Sequence, residues 1–247
     1  MNGGTVKERR TGAAVSAAAF AVIALLVAIC AVSVGYFLGG REKEENALGV
    51  NAELLPTVII DAGHGGRDGG CVSYDGQVLE KECNLEIAKS LAALFRISGY
   101  NVIMTRESDE MLSSDVGGGS AKQKDLRARL EIARAYPDAL FISVHCNKFP
   151  DADCEGLQVY YSKNHPSSAE YAEGVQSSVI SLLQPTNKRL IKAAGSSIYL
   201  LDRAAQPAIL VECGFLSNPE ETVALSSPVY RKQLALAVML GIRSAEQ

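Results

Sequence analysis

The sequence predicts an α/β layered domain carried behind a membrane-spanning segment. Three observations point there. After Pro56, short β-branched runs alternate with segments whose apolar residues recur at helical spacing. Ahead of that alternation lies an uncharged stretch from Thr11 to Gly40, TGAAVSAAAFAVIALLVAICAVSVGYFLGG. Two of the three histidines directly follow apolar runs, where an open α/β sheet gathers its chemistry.

The chain has 247 residues, 47% of them hydrophobic, and a net charge of −4, which argues against a nucleic-acid partner. About 20 apolar residues suffice to cross a bilayer, and the 11–40 run exceeds that. KERR (7–10) precedes it and REKEE (41–45) follows, so positive charge is denser on the N-terminal side. That asymmetry keeps the N-terminus in the cytoplasm and the rest outside, attached to the membrane through the helix. The competing reading is a secreted protein whose signal peptide is removed. A signal core is usually ~7–15 residues long and closes on small residues, and here only AVS (31–33) offers a weak site. Cys30 follows LVAI, a poor context for lipid attachment. The expected division is a cytoplasmic N-terminus at 1–10, an uncleaved anchor at 11–40, a charged linker at 41–56 and one outer domain at 57–247.

Within that domain, TVIID (57–61) reads as a strand and Asn84 to Ile97 as a helix stopped by Gly99. NVIMT (101–105) is the next strand, SSDVGGGSAKQK (113–124) a polar glycine-rich loop, and Leu126 to Ala135 a helix closed by Pro137. ALFISVH (139–145) is a wholly apolar strand, while GLQVYY (156–161) alternates. Helical spacing returns from Ala169 to Leu182. SIYLL (197–201) and AILVE (208–212) read as strands. In SNPEE, Asn218 is placed to cap a helix with Pro219 at its first position and acids in its first turn, and a last helix runs from about Tyr230 to Ile242.

The six cysteines include no C-x-x-C pair, which disfavours a cysteine zinc cluster. Five fall in the outer domain, so at least one thiol is free; buried thiols are the ordinary explanation, with a disulfide left open by the compartment.

His64 and His145 end the first and third apolar runs, whereas His165, in SKNHPSS, reads as a solvated turn residue. Glu80 and Glu82 stand just before a helix, where acids are favourable to the helix dipole in any case. Glu212 is different. It ends an apolar strand, where an unpaired carboxylate costs several kcal/mol, so it needs a cation or an acid–base task. Two histidines and a carboxylate with an open fourth position make a catalytic zinc site, in which bound water reaches a pKa of about 7 and a second carboxylate can move its proton. The rival reading of DAGHGGRDGG is a phosphate-cradling loop. Asp68 stands where the third glycine of that pattern belongs, no helix follows at once, and the lysine is missing.

VIIDAGHGGRDGG, LEKECNL, FISVHCN and PAILVECGFLSNPEE, in this order, resemble the zinc-dependent N-acetylmuramoyl-L-alanine amidases of the amidase-3 family over about Thr57 to Ile242. DAGHGGRDGG and SIYLLDRAAQPAILVECGFLSN resemble its germination-specific, spore-cortex branch most. The resemblance implies a twisted, mostly six-stranded mixed sheet flanked by helices. It implies zinc ligands at His64, Glu80 and His145, a catalytic glutamate at Glu212 and a supporting asparagine at Asn147. It is the family's E-K-D-x-N-L pattern that selects Glu80 over Glu82. Peptidoglycan is the implied substrate, with an activating protein partner open. Cysteines at 71, 83, 146 and 213 depart from the family's small apolar residues; Cys146, beside His145, should point to the opposite face of its strand. No long insertion precedes SIYLL, so a self-blocking helix is not expected. No residue is singled out as gripping substrate; Arg67 and Arg203 fit on charge alone, and surface arginines are common. The function expected is hydrolysis of the amide between N-acetylmuramic acid and L-alanine. The alternatives are a tethered wall-binding module without catalysis and a different zinc hydrolase, such as a peptidase or deacetylase.

Overall fold

The computed structural model describes residues 56–113 and 117–247. The segments assigned to cytoplasm, anchor and linker lie outside the described residues, apart from Pro56. Among the described residues no helix is long and apolar enough to cross a membrane.

The strands are β1 (Thr57–Ala62), β2 (Asn101–Met104), β3 (Leu140–Asn147), β4 (Gln158–Tyr161), β5 (Lys192–Ala193) and β6 (Ala208–Phe215). The helices are α1 (Glu80–Ile97), α2 (Ala121–Arg134), α3 (Ser167–Leu182), α4 (Tyr199–Arg203), α5 (Pro219–Ser226) and α6 (Pro228–Ala245). One six-stranded sheet runs in the order β2-β1-β3-β6-β4-β5. β2, β1, β3 and β6 are mutually parallel, β4 lies antiparallel to β6, and β5 is parallel to β4. The sheet is therefore mixed, as expected, and the central strands β1, β3 and β6 are covered on both faces.

The period-two alternation of a strand sorts the residues between two cores. Leu140, Ile142, Val144 and Cys146 of β3, with Ile209, Val211 and Cys213 of β6, pack toward α1, α3 and α6. Phe141 of β3 and Leu210 of β6 pack toward α2 and α4. The same alternation puts Asp61, Ser143, His145 and Glu212 on the α2/α4 face. Cys146 turns away from His145, as expected, and Cys71, Cys83, Cys146, Cys154 and Cys213 are all free thiols. On the opposite side α3 and α6 cross so closely that a Cβ on Gly174 would lie 2.4 Å from the Gly241 carbonyl oxygen.

Several elements differ from expectation. SIYLL is not a strand: Tyr199–Arg203 is the short helix α4, and the sixth strand is the two-residue β5. A five-residue apolar run carries no period long enough to separate helix from strand. α1 begins at Glu80 rather than Asn84, because its first turn is polar. α2 begins at Ala121, inside the stretch read as loop, where Ser120 and Gln123 form a reciprocal capping box. His165 is half-buried rather than solvated, its Nδ1 accepting from the Ser167 N–H at 3.3 Å.

Candidate metal centre

The site is built at the carboxyl ends of β1, β3 and β6. Past β1, the Gly63 N–H still bonds to the Val144 carbonyl at 3.1 Å, and then the chain turns sharply. His64 adopts φ 61, the left-handed region that side chains rarely occupy. Gly65 and Asp68 close the turn with paired backbone bonds of 2.9 and 3.1 Å. That turn brings the Asp68 carboxylate to 3.0 Å from His64 Nδ1. Burial works against the Asp68 charge, but His64, the Gly70 N–H and Lys122 outweigh it, and the carboxyl lies below its ordinary value.

With Nδ1 beside the Asp68 carboxylate, His64 places Nε2 at 3.2 Å from Glu80 Oε1. His145 presents Nδ1 to the same oxygen at 2.9 Å. The rings meet edge to face, with centroids 5.0 Å apart. Glu80 is 4% exposed, yet the two imidazoles outweigh burial and hold its carboxyl well below the usual range. Its Oε1 also accepts from Asn84 Nδ2 at 3.2 Å and the Cys146 N–H at 3.3 Å, and its Oε2 accepts from the Cys71 N–H at 2.8 Å. One nitrogen from each histidine and one Glu80 oxygen lie within 4.8 Å of one another.

This donor set fits a borderline divalent cation. Burial disfavours a charged His145, but Glu80, Glu212 and Asp61 outweigh it, so the local field favours positive charge among these donors. Two glycines leave the donors their room. A Cβ on Gly63 would lie 2.3 Å from the His145 ring, and one on Gly70 would lie 2.4 Å from Glu80 Oε2.

Glu212 is the cross-strand partner of His145 in the β3–β6 ladder. Its Oε2 is shut off from solvent and has no hydrogen-bond partner. Burial lifts its carboxyl to about 7, against the downward pull of His145. His64, His145 and Glu212 all border a cleft of about 250 Å³ whose far wall includes Lys122, Leu126 and Tyr199. The structure thus gathers His64, Glu80, His145 and Glu212, drawn from four separate elements. Glu82 is exposed on the surface of α1.

Three other candidates sit elsewhere. Arg67 is exposed and borders a different hollow, with Lys124. Arg203 lies over the Tyr199 ring at 4.2 Å and bonds Asp202. Asn147 accepts from the Lys148 N–H through Oδ1, and Asn84 is the asparagine that supports Glu80. The sequence reading missed Asp68, Asn84 and two buried arginines, Arg106 and Arg129. Asp68 carried a signal: an acid within reach of a histidine in a tight turn is a common orienting partner. Arg129 bonds Asp61, Asp125 and the carbonyls of Ala62 and His64.

Two imidazoles, a carboxylate and a desolvated acid beside one cleft, at the strand ends of an open α/β sheet, are groups that could hold a metal ion and serve hydrolysis. The chain belongs to the N-acetylmuramoyl-L-alanine amidase (amidase-3) family, whose profile matches residues 58–244. It is 35% identical over 187 residues to the germination-specific N-acetylmuramoyl-L-alanine amidase of Bacillus subtilis (strain 168), covering 75% of this chain and 77% of that protein. Among solved structures it is similar to the CwlD amidase of Clostridioides difficile in complex with the GerS lipoprotein, at TM-score 0.72 and 36% identity over 77% of this chain and 98% of that one. It is also similar to the amidase AmiC2 of Nostoc punctiforme, at TM-score 0.66 and 31% identity over 76% of this chain and 96% of that one. The protein is an amidase that cleaves the bond between N-acetylmuramic acid and L-alanine in peptidoglycan. The enzymatic reading stands over the wall-binding module, and the amidase over the peptidase and deacetylase.

Proposed function

We propose that His64, Glu80 and His145 hold a zinc ion and that Glu212 is the catalytic acid–base residue of this amidase. A zinc ion bound there would supply Lewis acidity toward the lactyl carbonyl and lower the pKa of water at the site. The chain's own residues do the rest. Asp68 fixes the His64 ring so that Nε2 faces Glu80. Glu212 takes a proton from the attacking water on its carboxylate and delivers it to the departing L-alanine nitrogen. The products are a bare glycan and a free stem peptide. The observation that carries this reading is the convergence of three donor atoms within 4.8 Å, with Glu212 across the ladder from His145. Glu212→Ala is expected to retain zinc and release no stem peptide from purified wall; undiminished release in that variant refutes the role.

The apolar, uncharged run at 11–40 and the basic residues KERR ahead of it support a membrane-anchored enzyme whose catalytic domain lies outside the cytoplasm. The Bacillus relative's name, germination-specific, supports a role in germination, for which we take spore cortex as the substrate, and the Clostridioides complex supports a lipoprotein partner for this chain. Digestion of cortex and vegetative peptidoglycan side by side separates the two substrates. Equal or faster release from vegetative wall removes the cortex assignment.

A further inference from the structure

Arg106 is 2% exposed and follows β2, outside the cluster of donors. Its guanidinium donates to four backbone carbonyls and, among the described residues, has no carboxylate at ion-pair distance. Nε bonds the Ala62 carbonyl at 2.9 Å, and Nη1 bonds the Ser108 carbonyl at 3.0 Å. Nη2 bonds both the Gly63 carbonyl at 2.9 Å and the Lys81 carbonyl at 2.8 Å. Ala62 and Gly63 lead directly into His64, and Lys81 follows Glu80. One rigid, planar group therefore ties the turn bearing His64 to the first turn of the helix bearing Glu80. The tie is reinforced in two places. Asn84 Nδ2 bonds both the Gly63 carbonyl and Glu80 Oε1. Lys81 Nζ bonds the Gly66 carbonyl and the Asp109 carboxylate, whose other oxygen accepts from the Gly66 N–H.

Burial and the like charge of Arg129 disfavour the Arg106 cation more than the more distant Asp61, Asp109 and Asp125 favour it, so its charge is held there at a net cost. A neutral side chain would fill the space at less cost if packing were all that was needed. A planar forked donor holds several carbonyls of the two segments at fixed angles, which a single amide or ammonium does not. Resting on the zinc reading above, we propose that Arg106 is a positioning residue that sets the spacing of His64 and Glu80 and so raises the affinity of the centre for its metal.

The test measures zinc affinity by chelator competition on the full chain, together with thermal stability. Arg106→Gln is expected to weaken zinc binding about 10–100-fold, as loss of a ligand's support does elsewhere. Arg106→Lys, which keeps the charge but loses the fork, is expected to recover only part of that loss. Leu234→Ala, in the core of α6, serves as a control that lowers stability without touching the centre, and its folded form is expected to bind zinc like the parent. Parental affinity in Arg106→Gln, or an equal loss in Leu234→Ala, overturns the proposal. A parent chain that takes up no zinc overturns the metal reading beneath it, and this proposal falls with it.

Discussion

Glu212 and Asp68 show how single residues acquire opposite tasks from their surroundings. Glu212 has a buried oxygen with no partner, and burial lifts its carboxyl to about 7. Asp68, also an acid beside the centre, is held below its ordinary value by an imidazole. The first suits the proton transfer proposed for it, and the second favours its charged form. The Glu212 shift has a sign that can be measured in the metal-free chain. Where both folded and unfolded forms are protonated, below the unfolded value, the residue costs nothing. As pH rises toward 7 the unfolded form ionises first, and stability is lost until the folded carboxyl also titrates. Glu212→Gln should therefore stabilise the metal-free chain by about 1–3 kcal/mol at pH 8 and not at pH 4. Denaturant titrations at the two values read the difference, and a destabilised Gln variant at pH 8 would count against a desolvated carboxylate. Asp68→Asn should leave the fold intact and weaken zinc binding about 10–100-fold, since the His64 ring loses the charge that orients it. Chelator competition reads this, and unchanged affinity would show that the turn alone orients the ring.

Elements explain how much of this was legible in the sequence. His145 and Glu212 stood out because each closes a long apolar run, and strands of such runs end where the site lies. The alternation also placed Cys146 on the far face. What the sequence hides is local: SIYLL is too short to show a period that separates the helix α4 from a strand, and the Ser120 capping box stands behind a run of glycines. Asn84, Arg106 and Arg129 were illegible for another reason. Their partners are backbone carbonyls brought near by the fold, and a carbonyl leaves no mark on the sequence. The close crossing of α3 and α6 gives an element-scale prediction. Gly174→Ala forces a methyl group against the Gly241 backbone and should cost about 1–3 kcal/mol, with activity per folded molecule unchanged. Thermal melting and specific activity of the soluble fraction test both halves. A loss of activity without loss of stability would mean that the helix pair also shapes the cleft.

At the scale of the molecule, the sheet divides labour between its faces. The α1/α3/α6 face holds most of the apolar core, including three buried cysteines. The α2/α4 face carries Asp61, Ser143, His145 and Glu212, and opens into the cleft. Both histidines and Glu212 line that cleft, and Glu80 lies buried behind them. The account therefore stands or falls on a metal held among His64, Glu80 and His145. The most direct measurement is the zinc content of the purified chain, paired with mass analysis of peptidoglycan digested before and after chelation. The expected result is one zinc per chain, release of intact stem peptides, loss of that release on chelation and its return with added zinc. A metal-free chain that still releases stem peptides would contradict the account.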